Sequence, residues 1–378
     1  MVREGWAPLL LAITVASGLG TVGAGCRAFD ESLLDASHPS DAGPGCPLAR
    51  PAARPMTTDG PDGDEVLFAI KDVVLDQRDS RWATIGYDLD GLCSMAPDPV
   101  VECLPPAASG EAEIDGEGGI DNTFGHNVVP LLLAAREDLQ SHAAGGQGQG
   151  LGAVFLILRN WNGEQNDPQV EGIVSQTVFG SAAPVPGPFD TIDVSDGGLW
   201  VNGEPRPVPA WEGQDHFWLL EDGFLEGDLA RPRVRDDNGY VRDGLVVLRL
   251  PDRFPLILGG DRTGVQFVLS DVVLTAQLSA DGSAIEQATL AGRWAIRDIL
   301  SSIELAAICP GTPDYFTISR LFDLAADVRA LPGSGGGLGS TCDAISIGLR
   351  FETGVQAQVD GVMPGFPLGS GCTDGGVP

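Results

Sequence analysis

The sequence predicts a mainly β protein, a sandwich or jelly-roll-like domain with a few helices. Three observations lead there. Runs rich in Val, Ile, Leu and Phe recur from about residue 65: 66–75, 153–161, 170–179, 191–201, 245–250, 265–278 and 345–351. Each is bounded by Gly, Pro, Asp or Asn, the residues that make turns. The chain holds 52 Gly and 28 Pro against 6% aromatics, and its strands do not alternate regularly with helices as a doubly wound fold requires. Three stretches instead carry apolar residues at helical spacing, about 128–144, 294–308 and 317–331.

The N-terminus has another character. One Arg precedes the apolar run Ala7–Ala16, and small residues follow up to Gly25. This pattern predicts a secretory signal peptide over 1–25. The run falls short of the roughly 20 apolar residues that span a membrane. Residues 26–64 lack apolar periodicity and are dominated by Pro, Gly, Asp and Ala, which predicts a flexible acidic linker. Its Asp59–Asp64 cluster reads as a solvated turn. Residues 65–365 form the β-rich domain and 366–378 a C-terminal tail.

Charge excludes one class of partner. With 53 acidic and 22 basic residues the formal charge is −31, so the chain repels nucleic acid phosphates. Lys71 is the only lysine; arginine supplies the other basic residues. Phe68–Leu75 and Phe267–Leu274 share Phe, Asp, Val, Val and Leu in register, an echo expected of related or convergent strands.

Val22-Gly23-Ala24-Gly25-Cys26 resembles the lipobox of bacterial lipoprotein precursors, with Gly23 where that pattern usually has Leu. The resemblance implies that Cys26 becomes a lipid-bearing N-terminal residue. Arg27 then implies outer-membrane sorting, with the domain on the periplasmic or cell-surface side. Gly86–Gly91, Gly119–Gly125, Leu290–Trp294 and Cys342–Gly348 also resemble segments of uncharacterised secreted lipoproteins of high-GC Gram-negative bacteria. That resemblance implies no activity.

With Cys26 as the lipid site, six cysteines remain: Cys46, Cys93, Cys103, Cys309, Cys342 and Cys372. An even number in an oxidising compartment predicts disulfides. Proximity suggests Cys93–Cys103 and Cys309–Cys342, leaving Cys46 and Cys372. There is no Cys-x-x-Cys and there are only four His, which disfavours zinc.

The acids offer the main candidate site. Asp88 and Asp90 would face one side of an extended strand. Asp115, Glu117 and Asp121 lie in a Gly-spaced loop. Calcium takes six to eight oxygens on adaptable backbone, which such a loop supplies. The competing reading is a pair of turns stabilised by their own acids.

Other motifs are weaker. Gly145–Gly152 does not fit a phosphate loop and leads into a strand. Ser334 and Ser370 miss the Gly-x-Ser-x-Gly elbow. Trp200, Trp211, Trp218 and His216 cluster with Glu212 and Asp215, a composition suited to stacking on sugars or to a β core. The sequence therefore predicts a lipid-anchored envelope protein whose domain is a non-catalytic binding or structural module. Calcium is its candidate stabilising ion, and a glycan or surface protein its candidate ligand. The alternative is a secreted glycan-acting hydrolase using paired carboxylates.

Overall fold

The computed structural model describes residues 47–95, 99–106, 112–135, 137–189, 191–195, 198–258, 265–305, 308–332, 339–365 and 372. The predicted signal peptide, Cys26, Cys46, the first part of the linker and nearly all of the C-terminal tail lie outside these residues.

Among the described residues there are sixteen strands. They are β1 (Val66–Val74), β2 (Val154–Arg159), β3 (Asp167–Ser181), β4 (Ile192–Ser195), β5 (Gly198–Val201), β6 (Glu204–Arg206), β7 (His216–Leu220) and β8 (Phe224–Leu225). They continue with β9 (Asp228–Pro232), β10 (Arg235–Arg242), β11 (Leu245–Leu250), β12 (Phe254–Leu258), β13 (Val265–Leu278), β14 (Ala284–Ala295), β15 (Ala344–Gln356) and β16 (Gln358–Met363). The four α-helices are α1 (Val129–Ala135), α2 (Leu139–Gly148), α3 (Ile296–Leu305) and α4 (Pro313–Leu324).

The mainly β prediction holds, but the architecture is a barrel and not a sandwich or jelly roll. The sheet runs β10-β11-β13-β14-β15-β1-β2-β3, and β10 pairs back onto β3. Eight antiparallel strands thus close on themselves, a size whose interior side chains just fill. Alternate residues point inward: Phe68 and Ile70 of β1, Leu156 of β2, Val174 of β3, Leu248 of β11, Leu274 of β13, Leu290 of β14 and Leu349 of β15 belong to one buried cluster. Leu248 fills the centre because Gly172 and Gly239 leave it room; a Cβ on either would meet its Cδ2, at 2.3 Å and 2.4 Å.

The echoed octapeptides are barrel strands with the same irregularity. Asp72 in β1 and Asp271 in β13 both take left-handed φ, 62° and 51°. At Asp271 the extra residue shifts the β13–β14 register. It also marks where β13 changes neighbour, from β12 to β11.

The helical stretches need three corrections. The 128–144 stretch is two helices, α1 and α2. The 294–308 stretch begins as strand: Trp294 and Ala295 still pair with β15, and α3 starts at Ile296. The third helix starts earlier, where Thr312 Oγ1 accepts the Tyr315 N–H and Pro313 takes the first turn. It ends at Leu324, because Val328 leaves to bridge Ala344.

Part of the segment predicted to be a tether lies on the barrel. Arg54 donates to the Pro168 and Asn238 carbonyls. The Tyr240 hydroxyl donates to the Ala52 carbonyl at 2.6 Å.

The cysteine pairing also differs from the one proximity suggested. Cys103 bonds Cys342, and Cys309 bonds Cys372, 239 and 63 positions apart. Cys93 is disulfide-bonded as well. Closure of the barrel brings distant segments together, so nearness in sequence was a poor guide.

Leu248→Ala should cost about 2–5 kcal/mol, since flanking glycines cannot refill the space. Urea unfolding measures this. A loss below about 1 kcal/mol would mean that the interior collapses freely and is not packed as described.

Candidate metal centre

After β1 the chain leaves the barrel and, over about 77–123, lies on its outer wall, whereas Phe124, Val128, Val129 and Leu133 that follow join the main core cluster. The outward faces of β13, β14 and β15 receive the 77–123 stretch. Gly348 of β15 has no room for a side chain: a Cβ would stand 2.0 Å from the Ile85 carbonyl oxygen. Beyond the end of β1, side chains take over its pairing. Asn122 Oδ1 accepts the Gly348 N–H at 2.9 Å, and Gln77 Nε2 donates to the Gly348 carbonyl at 2.9 Å. The Tyr87 hydroxyl bonds Thr275 Oγ1 at 2.8 Å.

This seating folds 85–92 into a bend. Asp88 and Asp90 were expected on a strand. They instead lie on a turn flanked by Gly86 and Gly91, whose φ values of 130° and 81° few other residues adopt. The acids anchor the bend themselves. Asp88 Oδ1 accepts the Gly91 N–H at 2.7 Å, and Asp90 Oδ1 accepts the Leu92 N–H at 2.8 Å. Asp121 Oδ2 accepts from Leu89 N–H at 2.6 Å. One carboxylate oxygen from each of Asp88, Asp90 and Asp121 lies within 4.8 Å of the others.

Beside them is a cavity of about 20 Å³, lined by Asp90, Glu113, Asp115, Asp121 and Asp327 among others. It has room for about one water-sized sphere. Asp115 is therefore part of the group. Glu117 is not; its side chain is exposed. Asp327 and Glu113 are additions that the sequence reading missed. Asp327 had a signal: an acid set in Ala325-Ala326-Asp327-Val328 is flanked by apolar residues. Its carboxylate accepts from Ser346 N–H at 2.8 Å and Thr123 Oγ1 at 2.9 Å.

Crowding shows in the acidities. Burial pushes Asp90 up to about 6, helped by the charges of Asp88 and Glu102 and opposed by the Leu92 N–H. Burial pushes Asp115 up to about 7, with Asp90, Asp327 and Asp88 adding to it. Burial raises Asp121 well above the carboxylate range, and Asp90, Asp115 and Asp327 reinforce it. Burial takes Asp327 to about 7 despite its Ser346 and Thr123 bonds. Asp88 is raised by burial too, with the Gly91 N–H and Arg50 opposing. Arg50 pairs with Asp88 at 3.1 Å, and the buried cation of the region is Arg293, 1% exposed. It donates to Asp271 at 3.1 Å, to Glu102 at 2.7 Å and to the Leu89 carbonyl. It is committed to those partners.

The donor set consists of hard carboxylate oxygens, which suits calcium or magnesium and not zinc. Calcium fits better, because buried carboxylates on turns supply many oxygens and little room for retained water.

The aromatic group does not converge. Trp211 and Trp218 belong to clusters on opposite faces of β7. Lys71 lies over the Trp211 ring, whose Nε1 donates to the Gly148 carbonyl. Asp215 is buried and accepts the Ala210 and Trp211 N–H groups. Trp200 is exposed on β5. Trp218 lines an open groove of about 900 Å³ with Phe189, Met363 and a run of prolines. Among the described residues one acid lines the groove, Asp360, which bonds His216 Nδ1 at 2.8 Å and the Val185 N–H at 2.8 Å.

This architecture is a side-filled antiparallel barrel carrying an acidic cavity on its outer wall. Compared with known protein families, with curated proteins and with solved structures, the chain matches none.

The acidities predict an unusual pH response. Carboxyls raised in the folded state bind protons that the unfolded chain, with values near 4, has released. In chelator, the stability they confer is present at low pH and is lost as pH rises through about 6–7. Asp76 and Asp281 act the other way. Arg78 lowers the first, and Ser283 and Ser279 the second, both to about 2. Their contribution falls only below about pH 4. Urea midpoints in chelator should therefore drop between pH 5.5 and 8. A flat or rising profile would show that these acids are not crowded in solution.

Proposed function

We propose that the chain is a lipid-anchored envelope protein whose barrel is a non-catalytic binding or structural module stabilised by calcium. The observation that carries the calcium reading is the convergence of the Asp88, Asp90 and Asp121 oxygens beside a carboxylate-lined cavity of ion size. Buried like charges oppose folding unless protons or a cation neutralise them. At neutral pH a divalent ion does so without requiring raised acidities. Asp88 and Asp121 also hold the bend, so loading and local order are linked.

Anchoring rests on the lipobox resemblance at Cys26 and on the linker that follows it. The export that this implies suits a chain with buried disulfides. Size weighs against the hydrolase alternative. A sugar ring cannot enter a cavity of about 20 Å³, and among the described residues one carboxylate lines the open groove where glycoside hydrolysis uses two.

Two outcomes are expected. Chelation should lower the melting temperature at pH 7.5, and calcium, not sodium at equal ionic strength, should restore it. Extracellular sites bind with constants of about 10⁻⁴–10⁻³ M, and each tenfold excess of ion adds about 1.4 kcal/mol. Asp90→Asn combined with Asp121→Asn should abolish the response. Equal rescue by sodium would reduce the effect to general screening and sink the calcium reading. For the anchor, Cys26→Ser should release the protein from the membrane fraction of an expressing cell. Unchanged membrane partition would refute the lipobox assignment.

A further inference from the structure

We propose that the Cys103–Cys342 disulfide is a covalent clasp. It holds a strap (87–95, 99–106 and 112–123) shut on the barrel's outer wall, against the repulsion between the strap's own carboxylates and Asp327. This proposal is independent of whether the cavity takes a cation.

The strap has little of its own to keep it down. Among its described residues only Cys103 and Ile120 are buried hydrophobics, whereas Met95, Val100, Leu104 and Ile114 are exposed. The main core cluster contains no strap residue, so the barrel has its packing without it. Segments with few buried apolar contacts open at low free energy. The strap's Asp90, Asp115 and Asp121 share one cavity with Asp327, which belongs to the segment before β15.

The two ends of the strap are hydrogen-bonded to the wall through Tyr87, Asn122 and Thr123, and its middle is held around Cys103. The Cys103 bond to Cys342 spans 239 positions, and both cysteines line the acidic cavity. The neighbouring contacts are few. Leu104 N–H donates to the Ser340 carbonyl at 2.8 Å, and Cys342 N–H donates to the Leu104 carbonyl at 2.9 Å. Glu102 Oε2 accepts from Arg293 and from the Arg329 N–H. The Cys309–Cys372 bridge joins residues outside the strap, whereas Cys93, within it, carries a disulfide of its own that substitution at Cys103 and Cys342 leaves in place.

Opening by reduction balances simply. A small dithiol donates two electrons and two protons, the S–S bond becomes two thiols, and the dithiol closes to its own disulfide. The freed strap then exposes its acids to water and presents Val100, Leu104 and Ile114 on a loosened segment.

Amide hydrogen exchange on the full chain in chelator tests this. Cys103→Ala with Cys342→Ala should speed exchange roughly 100-fold in peptides covering 99–106 and 112–122. Peptides from β2 and β11 should keep their protection. Cys309→Ala with Cys372→Ala should leave the strap as in the parent. If strap protection survives removal of the clasp, the proposal fails. It fails equally if β2 and β11 lose protection together with the strap, because the bond would then be a global staple. If the double variant does not fold, the folded parent is treated with a dithiol and its thiols are alkylated. Persistence of strap protection in molecules alkylated at Cys103 and Cys342 then overturns the proposal.

Discussion

Arg293 is the side chain on which the outer wall depends. A guanidinium that is 1% exposed requires partners on all sides. It finds them in four separate stretches: Asp271 on β13, Glu102 in the strap, and the Leu89 and Arg329 carbonyls. Its planar, always-charged fork suits this role better than the compact ammonium of a lysine would. Through Leu89 it fixes the bend that carries Asp88 and Asp90. Through Glu102 it fixes the residue beside Cys103. The barrel wall thus determines the geometry of the acids, although none of the three closest carboxylates belongs to a strand.

That arrangement has an electrostatic consequence. The arginine neutralises Glu102 and Asp271 directly, but the cavity acids lie beyond those contacts. The chain as a whole bears −31, so no distant surplus of positive charge relieves them. The fold keeps like charges together by covalent and backbone means: a buried disulfide, N–H groups aimed at carboxylates, and Ser346 and Thr123 donating to Asp327. Protons or a hard cation complete the balance.

The two sides of the barrel are covered differently. Over β1, β2 and β3 the cover is apolar: Phe155, Ile157 and Ile173 pack against Phe217 and Leu219 of β7. Over β13, β14 and β15 the cover is polar and covalent. The first kind draws stability from area removed from water. The second depends on specific partners and is sensitive to the loss of any one. Conditional behaviour in this molecule therefore belongs on the second side.

Much of the local structure was legible in the sequence. Leu245–Leu250 and Val265–Leu278 are strands with the expected bounds. Asp88 and Asp90 stood out as a strand pair, and Asp115, Glu117 and Asp121 as a Gly-spaced loop. Asp243-Gly244 and Asn202-Gly203, all four with positive φ, carry hairpin signals that the sequence reading did not use, and β10 and β6 beside them went unread. Local preference and period-two alternation act over a few residues, so composition alone determines them. Alternation states which face a strand buries but not which strand lies beside it. The pairing of β10 with β3, which makes a barrel, was therefore decided only by the tertiary structure. So were the partner of Cys103, 239 positions away, the recruitment of Asp327, and the exclusion of Glu117 from a group whose neighbours it shares. Each depends on where chain closure puts distant segments, and an interaction energy between residues so far apart leaves no local trace in either sequence.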